Sequence, residues 1–237
     1  MTEGSYALEN LTWREVGRIL ARDSRLLFPV GALEQHGAHL PLGTSTFIAE
    51  TLARDASEEH GVLLAPTLAY GVVMSHPGRF AGQTGVGRKT LHRAVNELFA
   101  RWEDHGVSEF VAITAHRFEP HLDALLMALT SDSLTTVIDL YRIDVSDLLE
   151  SPPHLEHAGE LETSLMRHLA PERVREDEIE MARVPPGRAR TYMRGGMPTP
   201  PAGSPGFVGR PDLATAEKGR LIYERYRAAL RSVLGRP

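Results

Sequence analysis

The sequence predicts a three-layer α/β fold in which a mainly parallel sheet is flanked by helices on both faces. The first observation behind this prediction is that short apolar runs, which suit buried strands, alternate with longer segments whose apolar residues recur at helical spacing. The second is length, because 237 residues can bury a sizeable core within one domain. We therefore expect a single domain that covers residues 1–237.

The first half of the chain supplies two strands and three helices to this prediction. Thr12 can cap the first helix, in which Val16, Ile19 and Leu20 recur on one helical face. The second helix directly follows a polar motif, so its N-terminal N–H groups are expected to face a pocket. The elements predicted after the first helix are a strand over 26–29, a helix over 46–59, a strand over 62–64 and a helix over 89–105.

The second half continues the alternation and adds a long loop. The glycine-rich segment 71–87 is expected to form a wall of the pocket through its backbone. The proline- and glycine-rich segment 185–211 is either an ordinary surface crossing, or a lid or oligomer contact, because loops longer than about 15 residues tend to be functional. The remaining predicted elements are a strand over 110–114, a helix over 121–129, a strand over 135–140 and a helix over 162–169.

Composition narrows the function classes. The formal net charge of −5 gives no general attraction to nucleic acid or to an anionic membrane, so neither partner is expected. The chain has no cysteine, which excludes disulfides, thiolate metal sites and a cysteine nucleophile. No apolar run approaches the roughly 20 residues that span a bilayer, and the N-terminus lacks the pattern of a signal peptide. A cytoplasmic enzyme with a small-molecule substrate is the expectation.

Three clusters of histidine and glutamate follow strand or loop ends, and together they predict a metal site. Carboxylate and imidazole are the ligands that divalent zinc, manganese or iron prefer, and ligands of catalytic sites commonly converge from separate segments. The alternative is that each cluster is a polar loop with solvated side chains. The clusters comprise Glu34, Gln35, His36 and His39; His116, Glu119 and His121; and Glu156, His157, Glu160 and Glu162.

The motifs resemble the creatininase-type amidohydrolases. The resemblance rests on PVGALEQHGAHLPLGT at 29–44 and HAGELETSLM at 157–166, with LTWREV at 11–16 and GRPDLATAEKG at 209–219 in support. It implies a creatininase-like fold, a homo-oligomer such as a hexamer, and cleavage of a C–N bond of a small amide, lactam or peptide-like substrate by a metal-activated water. It implies metal ligation by Glu34, His36, His116 and Glu162, and proton transfer by His157.

The chain also departs from the family pattern. Ser45 stands where relatives carry the aspartate of LPLGTDT, which is similar to a ligand that bridges two metals. Because a bridging carboxylate offsets the repulsion between two dications, the second metal site should be impaired. Three outcomes are compatible with Ser45 at this position: the protein keeps one metal, Glu119 or His121 substitutes as a ligand, or the protein has abandoned metal. The middle strand continues as TAHRFEP, without the glutamate two places after His116 that creatinine-specific members carry.

The remaining candidate roles follow from position. Glu160 is a weaker candidate than His157 for moving protons, and a solvated carboxylate is the alternative. Glu162 either ligates metal or accepts a hydrogen bond from His116. A runner-up function is a metal-free descendant that catalyses a cyclisation, dehydration or isomerisation of a small, anionic metabolite, and a non-catalytic binding homologue is a third. The candidate substrate contacts are Ser45, His76, Arg79, Arg117, Phe118 and Glu119.

Overall fold

The apolar runs form a parallel sheet, as predicted. The computed structural model describes residues 5–75, 79–128, 133–151, 156–179 and 206–235. Within these residues the sheet has four strands in the order β2-β1-β3-β4, and every neighbouring pair is parallel. The strands are β1 (Arg25–Val30), β2 (Leu63–Leu64), β3 (Glu109–Thr114) and β4 (Leu134–Asp139).

Helices cover both faces of the sheet. Their observed bounds differ by a few residues from the predicted ones, and Leu129, the predicted end of the fourth helix, lies outside the described residues. As predicted, Thr12 is the N-cap of the first helix, and it forms a capping box with Glu15, whose carboxylate accepts the N–H of Thr12 at 2.7 Å. The helices are α1 (Trp13–Leu20), α2 (Thr44–His60), α3 (Arg88–Glu103), α4 (Glu119–Leu126), α5 (Glu160–Leu169) and α6 (Ala216–Leu234).

The C-terminal helix α6 was not predicted. Thr215 caps it by accepting the N–H of Lys218 at 3.1 Å. Its buried face carries Ile222, Tyr226 and Leu230, which are four residues apart, so one apolar stripe faces the core. This spacing is visible in the sequence, and it would have been sufficient to predict the helix.

Alternation along the strands divides the core into two layers. Leu27 and Val111 point to the side covered by α2, α5 and α6. Leu26, Phe28 and Phe110 point to the side covered by α1, α3 and α4. Each fully buried side chain of this size contributes about 1.5–3 kcal/mol relative to exposure. The three-layer arrangement therefore follows from the period of two in each strand.

Pro29 lies in the central strand β1, where proline is normally disfavoured because it has no N–H to donate. The carbonyl of Pro29 accepts the N–H of Leu68 at 3.0 Å, so the missing donor would point to the same side as Leu68. On that side β2 ends at Leu64. Beyond Leu64 the pairing continues irregularly, because the N–H of Gly31 donates to the carbonyl of Leu68 at 2.9 Å, so Pro29 lies outside the regular ladder between β1 and β2. Among the described residues, none of the helices has the length and apolarity needed to cross a bilayer.

Candidate metal centre

The carboxyl ends of β1 and β3 bring the first two clusters together. The strands are in register up to Val30 and Thr114, so the segments that follow them start side by side. The Oε2 atom of Glu34 lies 3.1 Å from Nδ1 of His116, and both residues are largely buried. One carboxylate and one imidazole from separate segments therefore meet at the carboxyl end of the sheet, which is where open α/β sheets bind ligands.

The third cluster reaches the same buried region through the first turn of α5, and the space between Glu34, His36, His116 and Glu162 is called the cavity below. Oε1 of Glu162 lies 3.3 Å from Nε2 of His36, which is completely buried. The other oxygen, Oε2, accepts the N–H of Ala158 at 2.5 Å. Glu162 therefore faces His36, and the proposed hydrogen bond from His116 to Glu162 is replaced by the pair that His116 makes with Glu34.

His157 completes the group. Its ring centroid lies 4.7 Å from that of His36, at an interplanar angle of 41°. One potential ligand atom each from Glu34, His36 and His157 lies within 4.8 Å of the other two. His157 is held in place by two hydrogen bonds between its backbone and that of Val208, at 2.9 and 2.8 Å. All three sequence clusters thus converge on one cavity.

Three imidazoles of this group share one mode of orientation. His36 donates from Nδ1 to the carbonyl of Glu34 at 2.9 Å. His116 donates from Nε2 to the carbonyl of Val72 at 2.8 Å, and His157 donates from Nε2 to the carbonyl of Gln35 at 2.7 Å. Because a carbonyl only accepts, each bond fixes the protonated nitrogen and leaves the other one as a potential ligand. This arrangement is characteristic of metal-binding histidines.

Opposite charges in the cavity outweigh the cost of burial. Burial would raise the pKa of Glu34, yet His116, His157 and His36 lower it to about 2. Burial would lower the pKa of His36, yet Glu162 and Glu34 raise it to about 9. Against burial, His36 also lowers the pKa of Glu162, and Glu34 raises that of His116. The cavity therefore contains two ionised carboxylates that require positive charge beside them.

The chemistry of these side chains fits a divalent cation, and the three described residues whose ligand atoms all lie within 4.8 Å of one another are Glu34, His36 and His157. Ionised carboxylates and imidazoles suit zinc, manganese or iron, and a cation would supply the positive charge that the buried carboxylates of Glu34 and Glu162 require. Imidazole must be neutral to ligate, and the main-chain carbonyls already hold the proton on the nitrogen that would not bind.

Ser45 occupies the position at which the resemblance leads us to expect aspartate. It is buried in the first turn of α2, and its Oγ lies 3.3 Å from Nε2 of His36. The hydroxyl therefore contacts the cavity, but it is neutral.

The close approach of α2 to β1 depends on Gly31, since a Cβ there would lie 2.2 Å from Oγ1 of Thr46.

Glu160 lies in the same turn of α5 as Glu162 but has different partners. Its carboxylate accepts from Nζ of Lys218 at 2.6 Å and from the N–H and hydroxyl of Ser151, both at 2.8 Å. The side chain is completely buried. These contacts connect α5 to α6, so the structure does not bring Glu160 together with the metal-ligand candidates.

Of the two suggested substitute ligands, His121 contacts the metal-ligand candidate His116, with ring centroids 4.8 Å apart, and Glu119 is exposed. His121 is buried behind His116, accepts the N–H of Val72 at Nδ1 at 3.3 Å and donates from Nε2 to Thr114 at 3.1 Å. Both of its ring nitrogens are therefore engaged, and burial lowers its pKa to about 3. Glu119 is exposed at the start of α4.

The predicted substrate contacts have mixed positions. Arg117 is exposed, donates to the carbonyl of Tyr141 at 2.6 Å and lies over its ring. Phe118 packs partly against the core, with its ring 6.2 Å from that of His116. Arg79 stacks on Phe80, 5.6 Å from the ring centroid. His76 lies outside the described residues.

Two contributors to the centre had no predicted role. Gln35 supplies the carbonyl for His157, and its amide donates to the carbonyl of Gly206 at 2.5 Å. Tyr141 donates from its hydroxyl to Glu162. Gln35 was named in the first cluster, but without this orienting role, whereas nothing in the local sequence around Tyr141 indicates that it meets Glu162.

The chain is similar to known proteins over nearly its whole length. Residues 9–234 match the family model for creatininase, described as creatinine amidohydrolase. The chain is 29% identical to creatinine amidohydrolase of Pseudomonas putida, over 90% of each protein. It is 32% identical to mycofactocin precursor peptide peptidase of Mycobacterium tuberculosis, over 84% of this chain and 79% of the relative.

Solved structures agree with these sequence matches. A crystal structure of creatinine amidohydrolase superposes with a TM-score of 0.83 at 25% identity, over 98% of this chain and 97% of the other. A manganese form of creatininase and a mutant creatininase of Zn–Zn type each superpose with a TM-score of 0.80 at 25% identity, covering 98% of this chain and all of theirs.

Proposed function

Because this chain belongs to the creatininase family, we propose that it hydrolyses a C–N bond of a small amide, lactam or peptide-like substrate with one divalent metal ion. The observation that supports this proposal most directly is the orientation of three imidazoles by main-chain carbonyls beside two buried carboxylates. Its relatives are named as an amidohydrolase and a peptidase, so hydrolysis of an amide bond is the chemistry that these names share.

The ligands proposed for the metal are Glu34, His36, His116 and Glu162. Zinc and manganese are named for related creatininase structures, and iron suits the same donor set. When bound, the cation polarises the substrate carbonyl and lowers the pKa of a water. The side chains themselves balance charge and hold their own orientation, since each imidazole proton is already committed to a carbonyl.

His157 is the proposed proton carrier. Its Nε2 proton is held by the carbonyl of Gln35 at 2.7 Å, so Nδ1 is the atom that can take a proton and pass it to the leaving nitrogen. The backbone pairing of His157 with Val208 fixes the position of this ring. The contacts of Glu160 with Lys218 and Ser151 favour a structural role for that residue instead.

The neutral hydroxyl of Ser45 supports a centre with one metal. A second dication would lie close to the first without a bridging carboxylate between them, and their repulsion would remain uncompensated. Ser45→Asp should therefore raise the zinc stoichiometry from about one to about two per chain, as in two-metal hydrolases. Ser45→Ala is the matched control, because it removes the hydroxyl without adding charge and should leave one zinc. A Ser45→Asp variant that still binds one zinc would contradict this explanation.

A metal-free enzyme is the second candidate. The pairs Glu34–His116 and His36–Glu162 would also be balanced in charge if both imidazoles were protonated. Such a site could catalyse a cyclisation, dehydration or isomerisation by moving protons. Metal content separates this candidate from the hydrolase.

The test is elemental analysis joined to an activity screen. Protein purified without chelator should contain about one equivalent of zinc, manganese or iron, as expected for a single catalytic site. It should hydrolyse at least one member of a panel of creatinine, lactams, formamides and short peptides. Activity should disappear on chelation and return with metal. Metal below about a tenth of an equivalent, with no uptake on addition, would overturn the proposal and favour the metal-free enzyme.

We also propose that the chain forms a homo-oligomer, such as a hexamer, in the cytoplasm. The edge strand β4 is only partly buried, and Leu134 at its start is 62% exposed. Leu126 and Met127 at the end of α4 are 58% and 55% exposed. Light scattering coupled to size-exclusion chromatography would test the assembly, and a monomer mass would contradict it.

A further inference from the structure

Both oxygens of the Glu162 carboxylate have defined donors. Oε2 accepts the N–H of Ala158, whose φ of +52° is in the left-handed region that alanine rarely adopts. Strained backbone of this kind persists where its surroundings determine it, and it occurs preferentially at functional sites. Oε1 accepts from the hydroxyl of Tyr141 and faces Nε2 of His36 at 3.3 Å. The orientation of Glu162 therefore depends on one backbone donor and one side-chain donor.

Tyr141 is itself fixed at three points. Its N–H donates to Oδ1 of Asp139, at the end of β4, at 3.0 Å. Its carbonyl accepts from Arg117 at 2.6 Å, and the guanidinium of Arg117 lies 4.9 Å from the ring centroid. The ring packs against the core layer formed by α2, α5 and α6. These contacts hold Tyr141 where its hydroxyl donates to Glu162.

We propose that Tyr141 is a positioning residue that holds Glu162 in the orientation needed to bind the metal, and that Arg117 acts through Tyr141. This inference rests on the proposed function, because it assumes that Glu162 is a metal ligand. Carboxylates that bind metals are generally hydrogen-bonded in turn, and loss of such a partner weakens metal affinity by about 10–100-fold. Without the hydroxyl, the Glu162 carboxylate keeps the Ala158 N–H on Oε2 and the approach of His36 to Oε1, but it loses the donor that restrains its terminal torsion.

The chain offers a matched control in Tyr223. Its hydroxyl donates to the carboxylate of Asp55, so this second, likewise partly buried, tyrosine–carboxylate bond connects α6 to α2. Neither Tyr223 nor Asp55 is among the contacts of the metal centre. Tyr223→Phe and Tyr141→Phe each remove one hydroxyl from a bond of the same type, and only the second should affect metal binding.

The experiment measures zinc affinity of the full chain by competition with a chromophoric chelator. Tyr141→Phe should weaken zinc binding by at least about 10-fold, whereas Tyr223→Phe should change it by less than about 2-fold. Thermal unfolding checks that both variants fold. Arg117→Met provides a second variant, because it leaves the hydroxyl in place but removes the group that holds Tyr141. It should weaken zinc binding by more than Tyr223→Phe does.

The outcomes separate this inference from the proposed function. If the wild-type chain binds no zinc, the metal centre is wrong and the role of Tyr141 is overturned with it. If the wild-type chain binds zinc and Tyr141→Phe binds it equally well, only the role of Tyr141 is overturned. An equal loss in Tyr141→Phe and Tyr223→Phe would also overturn it, because the loss would then follow from general destabilisation.

Discussion

At the residue scale, the centre depends on charged side chains whose orientation is fixed by main-chain atoms. Sequence patterns were sufficient to single out Glu34, His36 and His116 as candidates, because polar residues crowd together directly after buried strands. They could not identify which carbonyl would receive each imidazole proton. The carbonyl of Val72, for example, comes from a different loop than His116, and only the folded chain brings the two together.

Glu34→Gln tests the charge balance of the centre. The substitution keeps the shape of the side chain but removes a charge that pairs with His116 at 3.1 Å. Zinc affinity should fall by at least about 100-fold, which is the upper end of the effect expected for an outer partner of a metal ligand. Calorimetric titration would measure it. Glu50→Gln is the control, since Glu50 pairs with Arg54 on the surface of α2. Equal zinc affinity in both variants would exclude Glu34 as a ligand.

At the element scale, the contact between α5 and α6 supports the segment that carries His157 and Glu162. Glu156 begins α5 by accepting the N–H groups of Glu160 and Leu161, and burial raises its pKa to about 7. Local rules predicted that the helix starts at Glu162, two residues late. The side chain that accepts its first N–H groups is Glu156, which lies four residues before the actual start at Glu160 and is not a standard N-cap. The sequence did predict the alternation of strands and helices, since each pattern is local.

Glu160→Gln separates a structural role from a catalytic one. Glu160 is completely buried and pairs with Lys218 at 2.6 Å, so removing its charge leaves that lysine with only part of its compensation. Because Lys218 keeps its pair with Glu150 at 2.8 Å, the free energy of unfolding should fall by about 1–3 kcal/mol, while zinc affinity should not change. Denaturant unfolding and zinc titration measure the two quantities. Loss of activity at unchanged stability would instead favour a role in proton transfer.

Gly219→Ala tests how closely α5 and α6 approach. A Cβ at this position would lie 1.9 Å from the carbonyl oxygen of Ser164, so the helices would have to separate. We expect a loss of about 1–3 kcal/mol, as for an overpacked core. Gly17→Ala on α1 is the matched control, because no atom lies within 4 Å of the added Cβ. It should increase stability by about 0.5–1 kcal/mol. Similar denaturation midpoints for the two variants would contradict the close packing.

At the scale of the whole molecule, the parallel register of β1 and β3 brings distant segments to one edge of the sheet. The fold class could be predicted because alternation and length restrict an α/β chain to few arrangements. The pairing of particular side chains could not. The register places the two strand ends together, but whether Glu162 meets His36 or His116 depends on how α5 packs.

Zinc should stabilise the folded chain, because the ligands are assembled only after folding. At a free zinc concentration about 100 times the dissociation constant, the gain is about 2.7 kcal/mol, which corresponds to a rise in Tm of roughly 5–10 °C for a chain of this size. The rise should be reversed by chelator and should be absent in Glu34→Gln. Scanning calorimetry measures it. An equal rise in the wild-type and variant chains would indicate that zinc binds elsewhere.

The most direct test of the centre is a crystal structure of the zinc-soaked protein with anomalous data collected at the zinc edge. The predicted result is a single strong peak per chain, within coordination distance of Glu34, His36, His116 and Glu162. A fully occupied zinc peak elsewhere on the surface, with none in this cavity, would contradict the proposal that these separate segments assemble a metal centre.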